Sequence, residues 1–356
     1  MSKRKIIIGL GGSLLLLTLL LLPKLSLFRN SRVVTLNNSA SVTYFIKAPI
    51  TVEALAEDLR KQGIIDKVDA FVDVAEYKEL NKENIALGKY IIAPGTQYRT
   101  LLNGFTLNSA GNGNAEVEVD VTFNNCRDVY QMAGKISTKL AIDSLKLVDY
   151  LTQSETLKKY GFTAEQFPAL FLPNTYKMYF DTDEKQFVER MATEFKNFWT
   201  PARLAKLKDL GLKSPSEAVT LASIVYSEQS RNKEEWPIIA GLYLNRIQQG
   251  IKLQSDPTFK FCWGDKLEGV QRLLNVHRDI ICAYNTYQIN GLPPGPICIP
   301  PAEVVDAVLN RDANKYIFMM AKPDYSGLHD FAVEYSKHLK YAKIYQNWLA
   351  NELKNQ

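Results

Sequence analysis

The chain has 356 residues, 46% of them hydrophobic and 11% aromatic, which excludes a disordered protein and leaves room for two domains with a sizeable core. Its formal charge of +5 is confined to residues 1–32, which hold six basic side chains and no acidic one; the remainder, with 37 basic against 38 acidic, offers no basic field for nucleic acid. Four cysteines lacking C-x-x-C spacing and only three histidines (His277, His329, His338) argue against a protein metal site, and no cofactor is expected.

Lys3, Arg4 and Lys5 precede an uncharged run from Ile6 to Leu22, closed by Pro23 and Lys24. About 17 helical residues reach roughly 26 Å, near the thickness of a bilayer core, so an uncleaved transmembrane anchor is expected rather than a cleaved signal peptide. Lys24, Arg29 and Arg32 balance the basic residues before the run, so charge does not decide orientation. The usual signal-anchor arrangement is adopted: a short cytoplasmic tail, a single pass of the inner (cytoplasmic) membrane, and a large extracytoplasmic part.

Residues 43–48 (TYFIKA) read as a strand, and TVEALAEDLRKQG as a helix with Val52, Leu55, Ala56 and Leu59 at helical spacing, Thr51 as its cap and Gly63 as its stop. A helix through VDAFVDVAEYKEL, a strand GKYII and a helix TQYRTLLNGF complete a small α/β unit whose order resembles a LysM module, a fold often used to hold glycan chains. The Gly/Asn segment 109–115 is the best boundary. Beyond it EVEVDVTF alternates, placing Val117, Val119, Val121 and Phe123 on one face of a strand. Helical patterns then run to about residue 250, interrupted by a rigid FLPNTY turn at 171–176. The expected fold class is α+β, with an anchor (1–32), a LysM-like module (33–110) and a larger mixed domain of helices with a small sheet (111–356).

Ser214, Pro215 and Glu217 are a helix start: capping serine, proline at the first position, glutamate three residues after the cap. Leu221, Ile224 and Val225 then share a face, and Glu228 extends that apolar stripe. A carboxyl there is desolvated, its pKa rises above about 4.3, and it can serve as a general acid near neutral pH. The alternative at this point is an exposed helix end, with Glu228, Gln229, Ser230 and Arg231 in solvent. A second helix opens at Glu235, Trp236 and Pro237; Ile238, Ile239, Leu242 and Tyr243 form its packing face, and Asn245 and Arg246 lie near its end. Gln254 and Asp256 follow in LQSDPT, then Tyr284, Asn285 and Tyr287 in YNTY beside a stiff GLPPGPI loop. One acid among neutral hydrogen-bonding groups and aromatics suits an uncharged polyhydroxylated ligand, and no Gly-rich loop enters a helix to hold phosphate. Plainer uses stay open: Asp256 as a turn initiator, Arg246 as partner of Glu235 or another acid, the prolines as braces. Cys262 and Cys282 can join as a disulfide or remain separate buried thiols; Cys126 and Cys298 complete the set.

In order and spacing, SIVYSEQS, the helix ending in LNR, LQSDPT, YNTY, GLPPGPI and GLHDF resemble the YceG-like (MltG) family of endolytic murein transglycosylases over roughly residues 165–345. The resemblance implies that Glu228 is the catalytic acid, in an S-I-V-x-x-E motif where Tyr226 stands in place of a second glutamate that many members carry. Cys282 and Ala283 before YNTY, and Ile299, Pro300 and Pro301 after GLPPGPI, also depart from the common pattern. It implies that Glu228 protonates the oxygen between MurNAc C1 and GlcNAc, then takes the proton of the MurNAc C6 hydroxyl as that oxygen attacks C1, leaving a 1,6-anhydroMurNAc end. A hydrolase would need a second carboxylate, for which Asp256 is the candidate; Asp256 could equally order Arg246 and the Gln254 loop. Asn245, Gln254, Asn285 and Tyr287 are expected at sugar hydroxyl and N-acetyl groups, with Arg246, Asp256 and Tyr284 in the same binding set. The implied partners are peptidoglycan strands, the membrane, and penicillin-binding polymerases and division proteins. The rival class is a membrane-tethered glycan-binding or cell-division scaffold without catalysis.

Overall fold

The computed structural model describes residues 40–106, 118–267, 270, 274–352 and 354. The expected transmembrane run and the 109–115 boundary lie outside these; among the described residues no helix is long and apolar enough to cross a membrane. The described chain is mixed α and β, with many helices and three two-stranded sheets. It forms two compact units, one taking in the chain up to Val121 with Thr138–Ile142 and Lys177–Thr182, the other everything else.

In the first unit β1 (Val42–Ile46) pairs antiparallel with β2 (Gly88–Ile92), Tyr44 opposite Tyr90. Helices α1 (Val52–Lys61), α2 (Val68–Tyr77) and α3 (Tyr98–Gly104) bury their apolar stripes together with that sheet. Thr51 caps α1 by accepting from the Ala54 amide at 3.3 Å, and Gly63 turns the chain out of it at φ 69°. Aromatic rings fill the centre, with Tyr90 edge-on to Phe105 at 4.7 Å.

Strand β3 (Glu118–Phe123) alternates as its sequence requires, with Val119, Val121 and Phe123 buried. The helices α4 (Val129–Ser137), α5 (Ser144–Thr152) and α6 (Ser154–Tyr160) follow. The 171–176 segment is a turn only as far as Pro173: from Asn174 it becomes β4 (Asn174–Tyr179), paired with β3. The buried series Tyr176, Met178, Phe180 has the two-residue period of a strand, a short signal easily lost among helical neighbours.

Helices α7 (Glu184–Phe198) and α8 (Pro201–Asp209) lead to α9 (Pro215–Glu228). Ser214 caps α9 through the Glu217 amide, and every residue from Ala218 to Val225 is buried. A helix apolar on all sides belongs at the centre of a core. It is packed by α10 (Trp236–Gln248), α11 (Asp256–Trp263) and, past the short α12 (Asn275–Arg278), by α13 (Ala302–Leu309). The hairpin of β5 (Phe318–Ala321) and β6 (His329–Ala332), with Ala321 opposite His329, and the final helix α14 (Tyr335–Glu352) close the second unit.

Two close approaches fix this arrangement. A side chain at Gly241 of α10 would lie 2.5 Å from the Asp312 carbonyl, and one at Gly295 would lie 1.8 Å from that of Glu165. Cys262 and Cys282 are joined, with Cα atoms 6.2 Å apart, while Cys126 and Cys298 are free.

Candidate active site

Glu228 is the last residue of α9, and the turn after it is tightly held. The buried Gln229 accepts at Oε1 from the Arg231 and Asn232 amides. Its Nε2 donates to Glu235 Oε2 at 2.9 Å and to the Gly327 carbonyl at 2.7 Å. The Trp236 indole donates to its carbonyl. Gln229 is therefore not solvated as an exposed helix end would require, and the backbone carrying Glu228 has little freedom.

The Glu228 carboxyl forms part of the wall of a cavity of about 410 Å³, within the size range of small-ligand sites. Oε1 accepts from Tyr243 Oη at 2.7 Å and from Ser255 Oγ at 2.5 Å. Oε2 takes no hydrogen bond from any described residue and is not a buried unpartnered atom, and the residue lines the cavity. Burial raises the carboxyl's pKa; the two hydroxyls oppose this by stabilising the anion, and the charge of Asp256 adds to the rise. Such a group holds a proton to higher pH than a surface glutamate does.

Four more of the sequence-derived candidates share the cavity: Arg246, Gln254, Asp256 and Tyr287. Arg246 is not paired with Glu235. Its guanidinium donates to the carbonyls of Ile317, Lys252 and Leu253 and to Gln254 Oε1, clasping the loop before α11 to the start of β5. Gln254 has a left-handed backbone (φ 52°) that turns the loop back. Asp256 opens α11 and accepts from Tyr287 Oη at 2.6 Å. Burial, with the adjoining Asp256 carboxylate, pushes the Tyr287 phenol well above its usual value.

Asn245, Asn285 and Tyr284 are placed otherwise. The Asn245 amide donates to the Asn314 and Tyr316 carbonyls. That of Asn285 donates to the Arg278 and Ile280 carbonyls, and its Oδ1 accepts from the Tyr287 amide. Both are buried clasps and neither lines the cavity. Tyr284 packs at a tilt against Phe261, ring centres 4.6 Å apart, also off the cavity wall. The amide chemistry that suited the two asparagines to sugar contacts is spent on backbone groups that would otherwise be buried without partners. The pairing of LQSDPT with YNTY is structural as well: Thr258 and Thr286 share a buried hydroxyl contact at 2.8 Å, and the Ser255 amide donates to Thr286 Oγ1.

Several residues of the site escaped the sequence reading. Tyr243, taken for packing, lies three residues before Arg246 on one face of α10, a spacing that could have shown it. Ser255 sits between two candidates. His329 and His338 come from β6 and α14, and only the GLHDF motif pointed to the first. Glu235 is buried and accepts from the His329 amide and Nδ1, each at 2.8 Å.

A larger cavity of about 740 Å³ is lined by Tyr226, Ser227 and Cys298 among others but by none of the candidates. Tyr226 donates to Asn125 Oδ1 there at 2.6 Å, so a side chain at position 226 faces away from Glu228's cavity. Among the described residues, no three His, Cys, Asp or Glu side chains gather closely enough to hold a metal ion.

Comparison with known proteins bears on the chain as a whole. The YceG-like family pattern matches residues 45–344. A protein of Bacillus subtilis (strain 168) named endolytic murein transglycosylase is 23% identical over 300 residues, 80% of this chain and 80% of that one. One of the same name from Streptococcus pneumoniae (serotype 2, strain D39) is 23% identical over 308 residues, 80% of this chain but 55% of its own. A crystal structure of a YceG-like protein of Listeria monocytogenes shares the fold, with a TM-score of 0.54 at 20% identity, covering 84% of this chain and 98% of that one. With the family pattern running through nearly all of the described residues, this chain belongs to the YceG-like family.

Proposed function

We propose that this protein is an endolytic peptidoglycan lytic transglycosylase, cleaving MurNAc–GlcNAc bonds of nascent strands to leave 1,6-anhydroMurNAc ends and so ending strand growth. One observation carries the proposal: Glu228 lines a cavity, with two hydroxyls held on Oε1 and no hydrogen bond from a described residue on Oε2. A carboxyl whose proton is retained by burial and presented at a free oxygen is equipped to protonate a leaving glycosidic oxygen. The names of the two relatives agree with this chemistry. The C6 hydroxyl of the same sugar supplies the nucleophile, at the high effective concentration of an intramolecular attack.

The same proposal places the protein in the inner membrane by residues 6–22, with the two compact units outside the cytoplasm, close to penicillin-binding polymerases and division proteins, and with the first unit as a LysM-like glycan holder. The Cys262–Cys282 disulfide supports an oxidising compartment.

Glu228→Gln keeps size and hydrogen bonding but removes the donor, and is expected to lower the rate of nascent-murein digestion by about 10²–10⁴-fold. Digestion at the parent's rate would sink the assignment, and an inactive parent would favour the scaffold. A hydrolase is the second reading, favoured by Asp256 on the same cavity wall. Mass spectrometry of the products separates the two: anhydro ends support the transglycosylase, and reducing ends that have gained water support the hydrolase.

A further inference from the structure

The Glu235–His329 pair is absorbed neither by the family motif around Glu228 nor by the proton-donor role. Glu235 lies at the start of α10 with its side chain 8% exposed, and His329 lies on β6 with its side chain 14% exposed. Gln229 Nε2 and the His329 amide already donate to the Glu235 carboxylate. Assigned from that network, the 2.8 Å contact between His329 Nδ1 and Glu235 Oε2 places the hydrogen on Nδ1. Nε2 then carries the lone pair. It has no partner among the described residues, it is not a buried orphan, and the ring lines the cavity that Glu228 lines. An imidazole backed by a carboxylate, with its far nitrogen free, is the arrangement of a general base.

We infer that His329 is the catalytic base for the intramolecular attack and that Glu235 is its positioning residue; this rests on the transglycosylase reading of the same site. The C1–O4 bond breaks as the leaving oxygen takes the proton from Glu228 Oε2. The C6 oxygen forms its bond to C1 and gives its proton to His329 Nε2, and Glu235 stabilises the imidazolium. Solvent returns that proton to the Glu228 carboxylate, so the cycle needs no co-reactant. Dividing the two proton transfers lets the acid and the base each work on its own side of the reacting sugar, where a single carboxyl would have to reach both oxygens in turn. The charged or titratable groups sharing the cavity with the ring are Glu228, Tyr243, Arg246, Asp256, Tyr287 and His338, with Glu235 behind it.

The test is kcat and KM of full-length protein on glycan strands, read as anhydro ends, for the parent, Glu228→Gln, His329→Gln, Glu235→Gln and Glu235→Asp. His329→Gln is expected to lower kcat by about 10²–10⁴-fold with KM little changed. Glu235→Gln loses the acceptor that fixes the hydrogen on Nδ1 and should lower kcat with KM little changed, and Glu235→Asp should restore part of the loss. Parent-like kcat in His329→Gln, a loss confined to KM, or parent-like kcat in Glu235→Gln would overturn the inference even with Glu228→Gln inactive. An active Glu228→Gln instead overturns the underlying reading. Should His329→Gln not fold, kcat in Glu235→Gln and its recovery in Glu235→Asp decide.

Discussion

Two hydroxyls and a desolvated carboxyl pull in opposite directions at Glu228. Tyr243 and Ser255 stabilise the anion, whereas burial and Asp256 stabilise the acid, and the balance leaves the pKa raised. Tyr243→Phe or Ser255→Ala removes one stabiliser of the anion, so the alkaline limb of the activity profile should move to higher pH; a rate profile over pH 5–9 checks the direction. The same sign governs stability. A carboxyl whose folded pKa exceeds its unfolded value gives stability that is whole below the unfolded pKa and is lost as pH rises through the folded one. Glu228→Gln should therefore melt above the parent at neutral pH, with the difference vanishing near pH 4, as thermal denaturation at the two pH values will show. The acid itself was legible in the sequence, because its place on the stripe of α9 is a matter of local period. Which neutral residues touch a ligand was not. Asn245 and Gln254 have the same donors and acceptors, and only the carbonyls that folding brings near Asn245 make it a clasp.

The cavity depends on how α10 holds the segment leading to β5. Gly241 admits the Asp312 carbonyl and Asn245 binds those of Asn314 and Tyr316, so two positions one helical turn apart fix the 312–316 stretch. Asn245→Ala leaves these carbonyls short of a donor and is expected to cost about 1–3 kcal/mol. Gly241→Ala must push backbone aside and should cost about as much. Urea denaturation measures both, and a rise in KM should accompany them because β5 forms part of the cavity wall. At this scale the capped, periodic helices α1 and α9 could be read directly, since their signals lie within a few residues. The β5–β6 hairpin and the two histidines could not, since Glu228 and His329 meet across about a hundred residues of chain.

Taken whole, the second unit packs its helices around one buried helix, α9, and the Cys262–Cys282 bridge ties α11 to the YNTY loop. A loop of this length constrains the unfolded chain by roughly 3 kcal/mol. Cys262→Ser with Cys282→Ser should thus lower the melting temperature by several degrees and, by loosening Tyr287 and Asp256, reduce activity more than binding. Calorimetry and a rate measurement on the double variant test the two parts. The chain's hydrophobic periodicity pointed to a mixed fold, yet whether the thiols pair was beyond it, because pairing depends on a Cα separation that spacing alone does not set.

Glu228 closes a helix of 14 residues, and the final turn of any helix carries unsatisfied carbonyls worth about half an elementary negative charge. That field disfavours a second negative charge beside it and acts in the same sense as burial. Because its source is backbone inside the protein and not mobile side chains at the surface, dissolved ions screen it poorly. The Glu228 proton is thereby insulated from the ionic strength outside.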